Sequence, residues 1–133
     1  MTIDAVFDAG GLSAWATRRP PAHLLELLEV VARAGGAAVV PTAAVVEAST
    51  GRGARDALVN LRLKRSVPDV CPLDRARHAA LLRFTAERDV SAVDAIVVAT
   101  AEARAESVVV TSDQKDIAAL VAVASGRTKM LTV

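Results

Sequence analysis

Acidic residues follow the most apolar stretches of this 133-residue chain. The segment "VVVTSDQKDIAAL" (108–120) passes from residues typical of a buried strand directly to Asp113, with Asp116 three positions later. At one isolated position, helix capping would explain this, because a carboxylate accepts a backbone N–H and its charge suits the positive end of a helix. The same pattern recurs elsewhere in the chain, which points to shared chemistry.

Three more carboxylates stand in apolar surroundings. Asp8 ends an apolar run, Glu47 follows Val46 in a second apolar region, and Asp94 lies within the run 92–99. Carboxylates that share a small volume repel one another unless a cation is present. Sites made only of oxygen ligands suit Mg²⁺ or Mn²⁺. Such an ion neutralises charge on a phosphodiester and lowers the pKa of a water molecule, so the chemistry this pattern predicts is phosphodiester hydrolysis.

Asp94 also has a simpler interpretation. The spacing Ser91-x-x-Asp94 is typical of a capping box at the start of a helix. One residue can serve both purposes, and the sequence leaves this open.

Short apolar strands that alternate with helices must position these side chains. We predict strands over 3–8, 37–40, 67–73, 107–111 and 129–133, of which 67–73 is an edge strand because prolines interrupt it. The predicted helices cover 12–18, 21–34, 53–65, 74–88 and 115–124, with Asp74 as the cap of the helix 74–88. Two further helices are predicted to begin at Thr42 and at Ser91. This alternation indicates an α/β fold in three layers, with a mostly parallel sheet between helices.

The order of these elements brings the acids together. In open α/β sheets, ligands bind beyond the carboxyl ends of the strands. Asp8 and Asp113 end two strands, and Glu47 lies in the helix that leaves a third. Asp94 joins them if its helix starts at the same edge.

Composition limits the remaining possibilities. Length predicts one domain over 1–133, net charge is +1, and only 2% of residues are aromatic, which excludes base stacking on an aromatic platform. RNA contacts would need a local basic patch such as the one that includes Arg52 and Arg55 in helix 53–65. The two histidines have no partner at metal-ligand spacing. No export signal or membrane span is expected, so we predict a cytoplasmic protein.

Four segments together resemble PIN-domain proteins, and most of all the VapC-type toxin ribonucleases. They are "VFDAGGLSAWA", "VVPTAAVVEAST", "VSAVDAIVVATA" and "VVVTSDQKDIAAL", and the resemblance covers essentially all of the chain. It implies a PIN-like fold and a Mg²⁺- or Mn²⁺-dependent endoribonuclease that is paired with a small antitoxin.

The resemblance also implies roles for individual residues. Asp8, Glu47, Asp94 and Asp113 would form the catalytic, metal-binding cluster, with Asp8 and Asp94 as the most direct ligands. Asp116 would be a peripheral or outer-shell group. Many relatives carry Thr or Ser directly after the first Asp, whereas this chain has Ala9-Gly10, and hydroxyls from Thr111 and Ser112 are candidates to compensate.

Two alternatives remain at the level of sequence. A phosphoacceptor receiver domain is also doubly wound, but it would need paired acids after the first strand and a lysine after the last, and this chain has neither. The second alternative is a catalytically silent PIN fold that only binds proteins. We further expect a homodimer, because the Ala/Leu/Val-rich helices carry more apolar surface than a small monomer hides, chiefly on 21–34 and 53–65.

Overall fold

A computed structural model describes residues 2–133, which form five strands and seven helices. The strands are β1 (Asp4–Phe7), β2 (Ala38–Pro41), β3 (Val67–Asp69), β4 (Ser107–Thr111) and β5 (Thr128–Thr132). The helices are α1 (Ala9–Trp15), α2 (Ala22–Arg33), α3 (Thr42–Ala48), α4 (Gly53–Leu63), α5 (Leu73–Thr85), α6 (Ala92–Glu102) and α7 (Gln114–Val123).

The five strands form one sheet in the order β3-β2-β1-β4-β5, and every pairing is parallel. From β1 the chain first moves outward through β2 to β3, and it then returns to place β4 on the other side of β1. The direction of winding therefore reverses between β1 and β4. Such a switch point opens a crevice at the carboxyl ends of the strands. Asp8 directly follows β1, and Asp113 follows β4 after one residue.

Helices cover both faces of this sheet, because neighbouring strand residues point in opposite directions. Val6 and Val109 pack with α5, α6 and α7, whereas Phe7 and Val110 pack with α1, α2 and α4. Phe7 also stacks on Trp15, with ring centroids 5.0 Å apart. These two cores confirm the predicted three-layer α/β fold.

Several details differ from the predicted elements. The first helix begins at Ala9 and ends at Trp15, earlier than the predicted 12–18, and α5 ends at Thr85, short of the predicted residue 88. The edge position of the 67–73 segment is confirmed, but only Val67–Asp69 form a strand. The capping role predicted for Asp74 is wrong, because Pro72 occupies the cap position of α5 and Asp74 lies in the first turn. No helix among residues 2–133 has the length and apolarity needed to cross a bilayer.

Candidate active site

Asp8 is the most enclosed of the predicted catalytic acids, with only 3% of its surface exposed. It is the N-cap of α1, where its Oδ1 accepts a 2.6 Å hydrogen bond from the Gly11 backbone N–H. Its Oδ2 accepts a hydrogen bond from the hydroxyl of Thr111, at the end of β4. Strand pairing of β1 with β4 brings these two residues together, since Phe7 lies opposite Val110.

Three carboxylates meet beside this position. Ligand oxygens of Asp94, Asp113 and Asp116 all lie within 4.8 Å of one another. Asp113 caps α7 and accepts a hydrogen bond from the Asp116 backbone N–H, while Asp94 lies in the first turn of α6. The N-termini of α6 and α7 therefore converge where β1 and β4 end. Asp116, which the sequence suggested as peripheral, lies within this group.

Glu47 takes a more distant position in the same region. It is an exposed residue of α3, and its charge contributes to raising the pKa of Asp8. The apolar surroundings that we expected for Glu47 are absent, because Val46 beside it is 77% exposed. Glu47 lies at the open side of the site, apart from the group of three carboxylates.

The electrostatics show that these acids destabilise one another's charge. The pKa of Asp94 is raised to about 6, chiefly by burial and also by the charges of Asp8, Asp113 and Asp116, while a hydrogen bond from Ser91 opposes the rise. Burial also raises the pKa of Asp8, and the charges of Asp113 and Glu47 add to this rise, whereas the hydrogen bonds from Thr111 and Gly11 oppose it. The predicted convergence of Asp94 on the other acids is thus present in the structure.

The capping interpretation of Asp94 also has a structural basis. Ser91 is the N-cap of α6, and its hydroxyl accepts a 3.0 Å hydrogen bond from the Asp94 backbone N–H. This bond uses only the main chain of Asp94. Its carboxylate therefore takes part in the acidic cluster while its backbone helps to begin the helix.

The missing hydroxyl after Asp8 has a substitute. Thr111 is fully buried, donates to Asp8, and accepts a 2.8 Å hydrogen bond from the Asp113 backbone N–H. Ser112 lies against Gly10, where an added Cβ would come within 1.8 Å of its Oγ. Gly10 therefore makes room for the β4–α7 loop, and the hydroxyl beside Asp8 comes from the other strand.

The two arginines predicted to contact RNA have different environments. Arg52 is exposed, at the cap position of α4. Arg55 points back into the protein, where its guanidinium donates hydrogen bonds to the carbonyl oxygens of Ala16 and of Ser13 (2.9 Å). Contact with RNA stays a prediction for both, but most of the guanidinium of Arg55 is already engaged.

The group of three carboxylates fits a hard divalent cation. Its donors are all oxygen, as Mg²⁺ and Mn²⁺ require. Asp116 Oδ1 is buried and accepts no hydrogen bond, although Arg88 Nε forms an ion pair with it at 2.8 Å. The charge of this buried oxygen is therefore balanced by Arg88, with which a bound cation would compete.

Arg88 is the charged neighbour of this site that the sequence did not indicate. It lies in the polar connection between α5 and α6, 28 positions before Asp116. No periodicity or spacing distinguishes it from the other exposed arginines. Only the tertiary structure brings it to the acids.

A three-layer α/β fold with carboxylates at the switch point defines a class of protein that recognises ligands at this edge. The chain belongs to the PIN-domain family, whose model matches residues 5–122. This membership rules out the receiver-domain alternative. The curated proteins contain no significant match to the chain.

Solved structures with the same fold include two that are bound to DNA fragments and one toxin. VapBC2 from Rickettsia felis, bound to a promoter DNA fragment, is 13% identical over 99% of both chains, with a TM-score of 0.73. VapC20 of Mycobacterium tuberculosis, described as a sarcin–ricin loop cleaving toxin, is 20% identical, covers 89% of this chain and 95% of its own, and has a TM-score of 0.61. FitAB bound to the IR36 DNA fragment is 16% identical over 98% and 94%, with a TM-score of 0.63.

Proposed function

We propose that this chain is a divalent-metal-dependent endoribonuclease that acts in the cytoplasm as the toxin of a toxin–antitoxin pair. The observation that carries the proposal is the group formed by Asp94, Asp113 and Asp116 beside the buried Asp8 at the switch point of the sheet. The similarity to VapC20 and VapBC2 supports the choice of RNA as substrate and of an antitoxin as partner.

The residues divide the work as follows. Asp94, Asp113 and Asp116 would hold Mg²⁺ or Mn²⁺, with Asp8 behind them and Glu47 on the solvent side. When bound, the cation supplies charge neutralisation at the phosphate and lowers the pKa of a water molecule. Thr111 keeps Asp8 in place, and its hydrogen bond favours the charged form of that carboxylate. The buried Asp8 therefore supplies a fixed negative charge without needing to move.

A cleavage assay tests this proposal directly. We would incubate the purified chain with a panel of structured RNAs, including tRNA and a sarcin–ricin loop hairpin because VapC20 is described as cleaving that loop. Cleavage is expected with Mg²⁺ or Mn²⁺, and it should disappear in EDTA and in Asp94→Asn. A variant with Glu106→Gln, which changes an acid outside the cluster, is the control. Cleavage that persists undiminished in EDTA would contradict the proposal.

A silent PIN fold that only binds proteins is the alternative. It would show partner binding without metal-dependent cleavage of any RNA in the panel. The convergence of Asp94, Asp113 and Asp116 favours the enzyme, because like charges forced together are costly unless a cation is bound.

The antitoxin is proposed to bind a groove between α2 and α4. The groove has a volume of about 500 Å³ and is lined by apolar residues such as Leu25 and Leu28, with Arg62 and Arg65 at its side. Leu25, at 47% exposure, offers an apolar contact at the surface of the groove. An amphipathic segment with acidic residues beside its apolar face would match both the shape and the charge of this groove.

The homodimer is proposed to form through α5 and not through α2 and α4 as first expected. Since the α2–α4 groove is assigned to the antitoxin, the dimer needs a different apolar surface. The outer surface of α5 carries Leu73, Leu81 and Phe84, which are 68%, 57% and 80% exposed. A two-fold dimer brings the same surface of both copies together, so this α5 patch would be covered by its counterpart in the second copy.

A further inference from the structure

The connection between α5 and α6 holds Arg88 at the border of the acidic cluster. Arg88 Nε lies 2.8 Å from Asp116 Oδ1, and Asp116 is one of the three carboxylates that meet within 4.8 Å. The side chain of Arg88 is 48% exposed, whereas that of Asp116 is 21% exposed. The guanidinium therefore lies between Asp116 and the solvent from which a substrate would approach.

This connection is anchored on both sides of Arg88. Val90 is buried in the core formed with α5 and α6, and its carbonyl oxygen accepts a 2.9 Å hydrogen bond from Arg83 Nε. Ala86 packs against the same core. The backbone of Arg88 is thus positioned by contacts that do not depend on the ion pair with Asp116, so removal of the side chain leaves the connection in place.

Much of the guanidinium has no partner. Among residues 2–133, Arg88 forms no hydrogen bond and no ion pair other than the one with Asp116. An arginine carries five N–H donors in a planar fork, and that fork matches two oxygens of one phosphate. Only the Nε side faces Asp116, which leaves the terminal amino groups for an oxyanion on the solvent side.

The charges indicate when this donor becomes available. Without a cation, the guanidinium is the one positive group that contacts the three-carboxylate group in the described part of the chain, so it is attracted to Asp116. A divalent cation bound to the same carboxylates would compete for that negative charge. The positive guanidinium would then gain from contact with the negative phosphate backbone, which is drawn to the same place.

We infer that Arg88 is a substrate-binding residue whose guanidinium contacts a phosphate of the RNA backbone beside the acidic cluster. The inference rests on the proposed nuclease function and adds to it a specific group on this chain that binds the substrate. Arg88 has no role as a metal ligand, and its positive charge opposes the cation. Its removal must therefore affect metal and RNA in opposite directions.

The test compares Arg88→Gln, Arg88→Lys and the control Arg77→Gln in the full chain. Arg77 is an exposed arginine of α5, so the control makes the same change in net charge away from the acids. We would measure the thermal melting midpoint in a Mn²⁺ titration without RNA. In parallel, we would measure kcat/KM on the best-cleaved RNA and, in an Asp94→Asn background, RNA affinity by fluorescence anisotropy.

Arg88→Gln is expected to lower the Mn²⁺ concentration needed for half of the thermal shift and to lower kcat/KM on RNA by about tenfold or more, the size of a lost hydrogen bond to a charged group. RNA affinity in the Asp94→Asn background should fall as well. Arg88→Lys should recover part of the RNA loss because it keeps the charge but lacks the fork. Arg77→Gln should change neither quantity.

Other outcomes would overturn the inference. A lower Mn²⁺ midpoint with unchanged kcat/KM and RNA affinity would mean that Arg88 only balances the charge of the acids. A lower melting temperature in EDTA, with the Mn²⁺ midpoint and the RNA affinity both unchanged, would mean a purely structural role. If the wild type cleaves no RNA in the panel, the nuclease proposal fails, and the anisotropy arm still decides whether Arg88 binds a phosphate backbone.

Discussion

The hydroxyl of Thr111 donates a hydrogen bond to the carboxylate of Asp8, although 103 positions separate the two residues. Both side chains are buried, and Thr111 also accepts a hydrogen bond from the Asp113 backbone. One hydroxyl thus joins the acid that follows β1 to the acid that follows β4. The arrangement of the site depends on this contact between the two strands at the switch point.

Replacement of Thr111 by Val should therefore destabilise the protein. The change keeps the shape of the side chain but removes a hydrogen bond to a buried charged group, and we expect the free energy of unfolding to fall by about 2 kcal/mol. Urea unfolding in EDTA at neutral pH measures this. Thr111→Ser is the control, because it keeps the hydroxyl. Equal stability of the Val and Ser variants would contradict the role assigned to the hydrogen bond.

Asp94→Asn should have the opposite effect on the metal-free protein. The pKa of Asp94 is about 6 in the folded state against an ordinary value of 3.8, so its charge destabilises the fold above pH 6. Asn should raise stability in EDTA by about 1 kcal/mol at pH 8, a figure reduced for partial solvent screening. The gain should shrink as the pH falls through 6, where folded wild type takes up a proton.

Thermal melts in EDTA and in excess Mn²⁺ check this prediction. The Asn variant should also lose most of the stabilisation that Mn²⁺ gives to the wild type, since a ligand stabilises only through its affinity for the folded state. If Asp94 only helps to start α6, Asn would instead cost about 0.5 kcal/mol and leave the Mn²⁺ shift intact. That result would remove Asp94 from the site.

Arg52 and Arg55 should separate into an RNA contact and a structural residue. Arg55→Gln removes hydrogen bonds to Ser13 and Ala16 at the end of α1, so its melting temperature should fall. Arg52→Gln should leave the melting temperature unchanged but weaken RNA binding and reduce its dependence on salt. Anisotropy at several salt concentrations, with melts on the same samples, measures both. Equal melting temperatures for the two variants would show that the Arg55 contacts contribute no stability.

The products of cleavage should carry a 5′-phosphate and a 3′-hydroxyl. In the proposed site an activated water attacks phosphorus and the bond to the 3′-oxygen breaks, so the phosphate stays on the 5′ end of the downstream fragment. End-labelling with and without phosphatase, followed by mass spectrometry of the fragments, identifies the ends. Fragments that end in a 2′,3′-cyclic phosphate would exclude this mechanism.

Phe84→Lys should abolish the proposed homodimer without affecting antitoxin binding. Phe84 is 80% exposed on the α5 patch, and a lysine there would place like charges opposite each other across a two-fold axis. Light scattering at micromolar concentrations should report a monomer. Co-expression with the proposed antitoxin should still give a complex. Leu25→Lys is the matched variant in the α2–α4 groove, and it should have the reverse effect. A dimer that survives Phe84→Lys and dissociates in Leu25→Lys would move the interface to α2.

Periodicity and apolar runs were sufficient to predict the fold. Strand 107–111 was predicted with the bounds it has in the structure, and α6 begins directly after Ser91 as expected. The first residue of a helix next to proline was harder to predict. The pattern around Asp74 suits a cap, but Pro72 occupies the cap position of α5. Propensity ranks candidate caps but does not decide between adjacent ones. That residues 1–133 act as a single domain stays a prediction.

The sequence predicted that the acids lie at one edge of the sheet, but it did not indicate which of them come closest together. Asp116 was assigned a peripheral place and lies within the group of three, whereas Glu47 was expected in an apolar setting and is exposed. Local sequence does not reveal how two helix N-termini converge in space. The hydrogen bond from Thr111 and the ion pair of Arg88 depend on the same tertiary arrangement, so sequence analysis suggested the first only as a candidate hydroxyl and did not suggest the second.

The late position of β4 in the chain has a consequence for protein synthesis. A nascent chain that extends only to residue 106 contains Asp8, Glu47 and Asp94, but it lacks the strand that pairs with β1 and carries Thr111, together with Asp113 and Asp116 beyond it. The acidic cluster therefore cannot assemble until the residues through Asp116 have emerged from the ribosome. In the proposed ribonuclease, activity would begin only after β4 and the start of α7 have been translated, which would spare the RNA that its own synthesis requires.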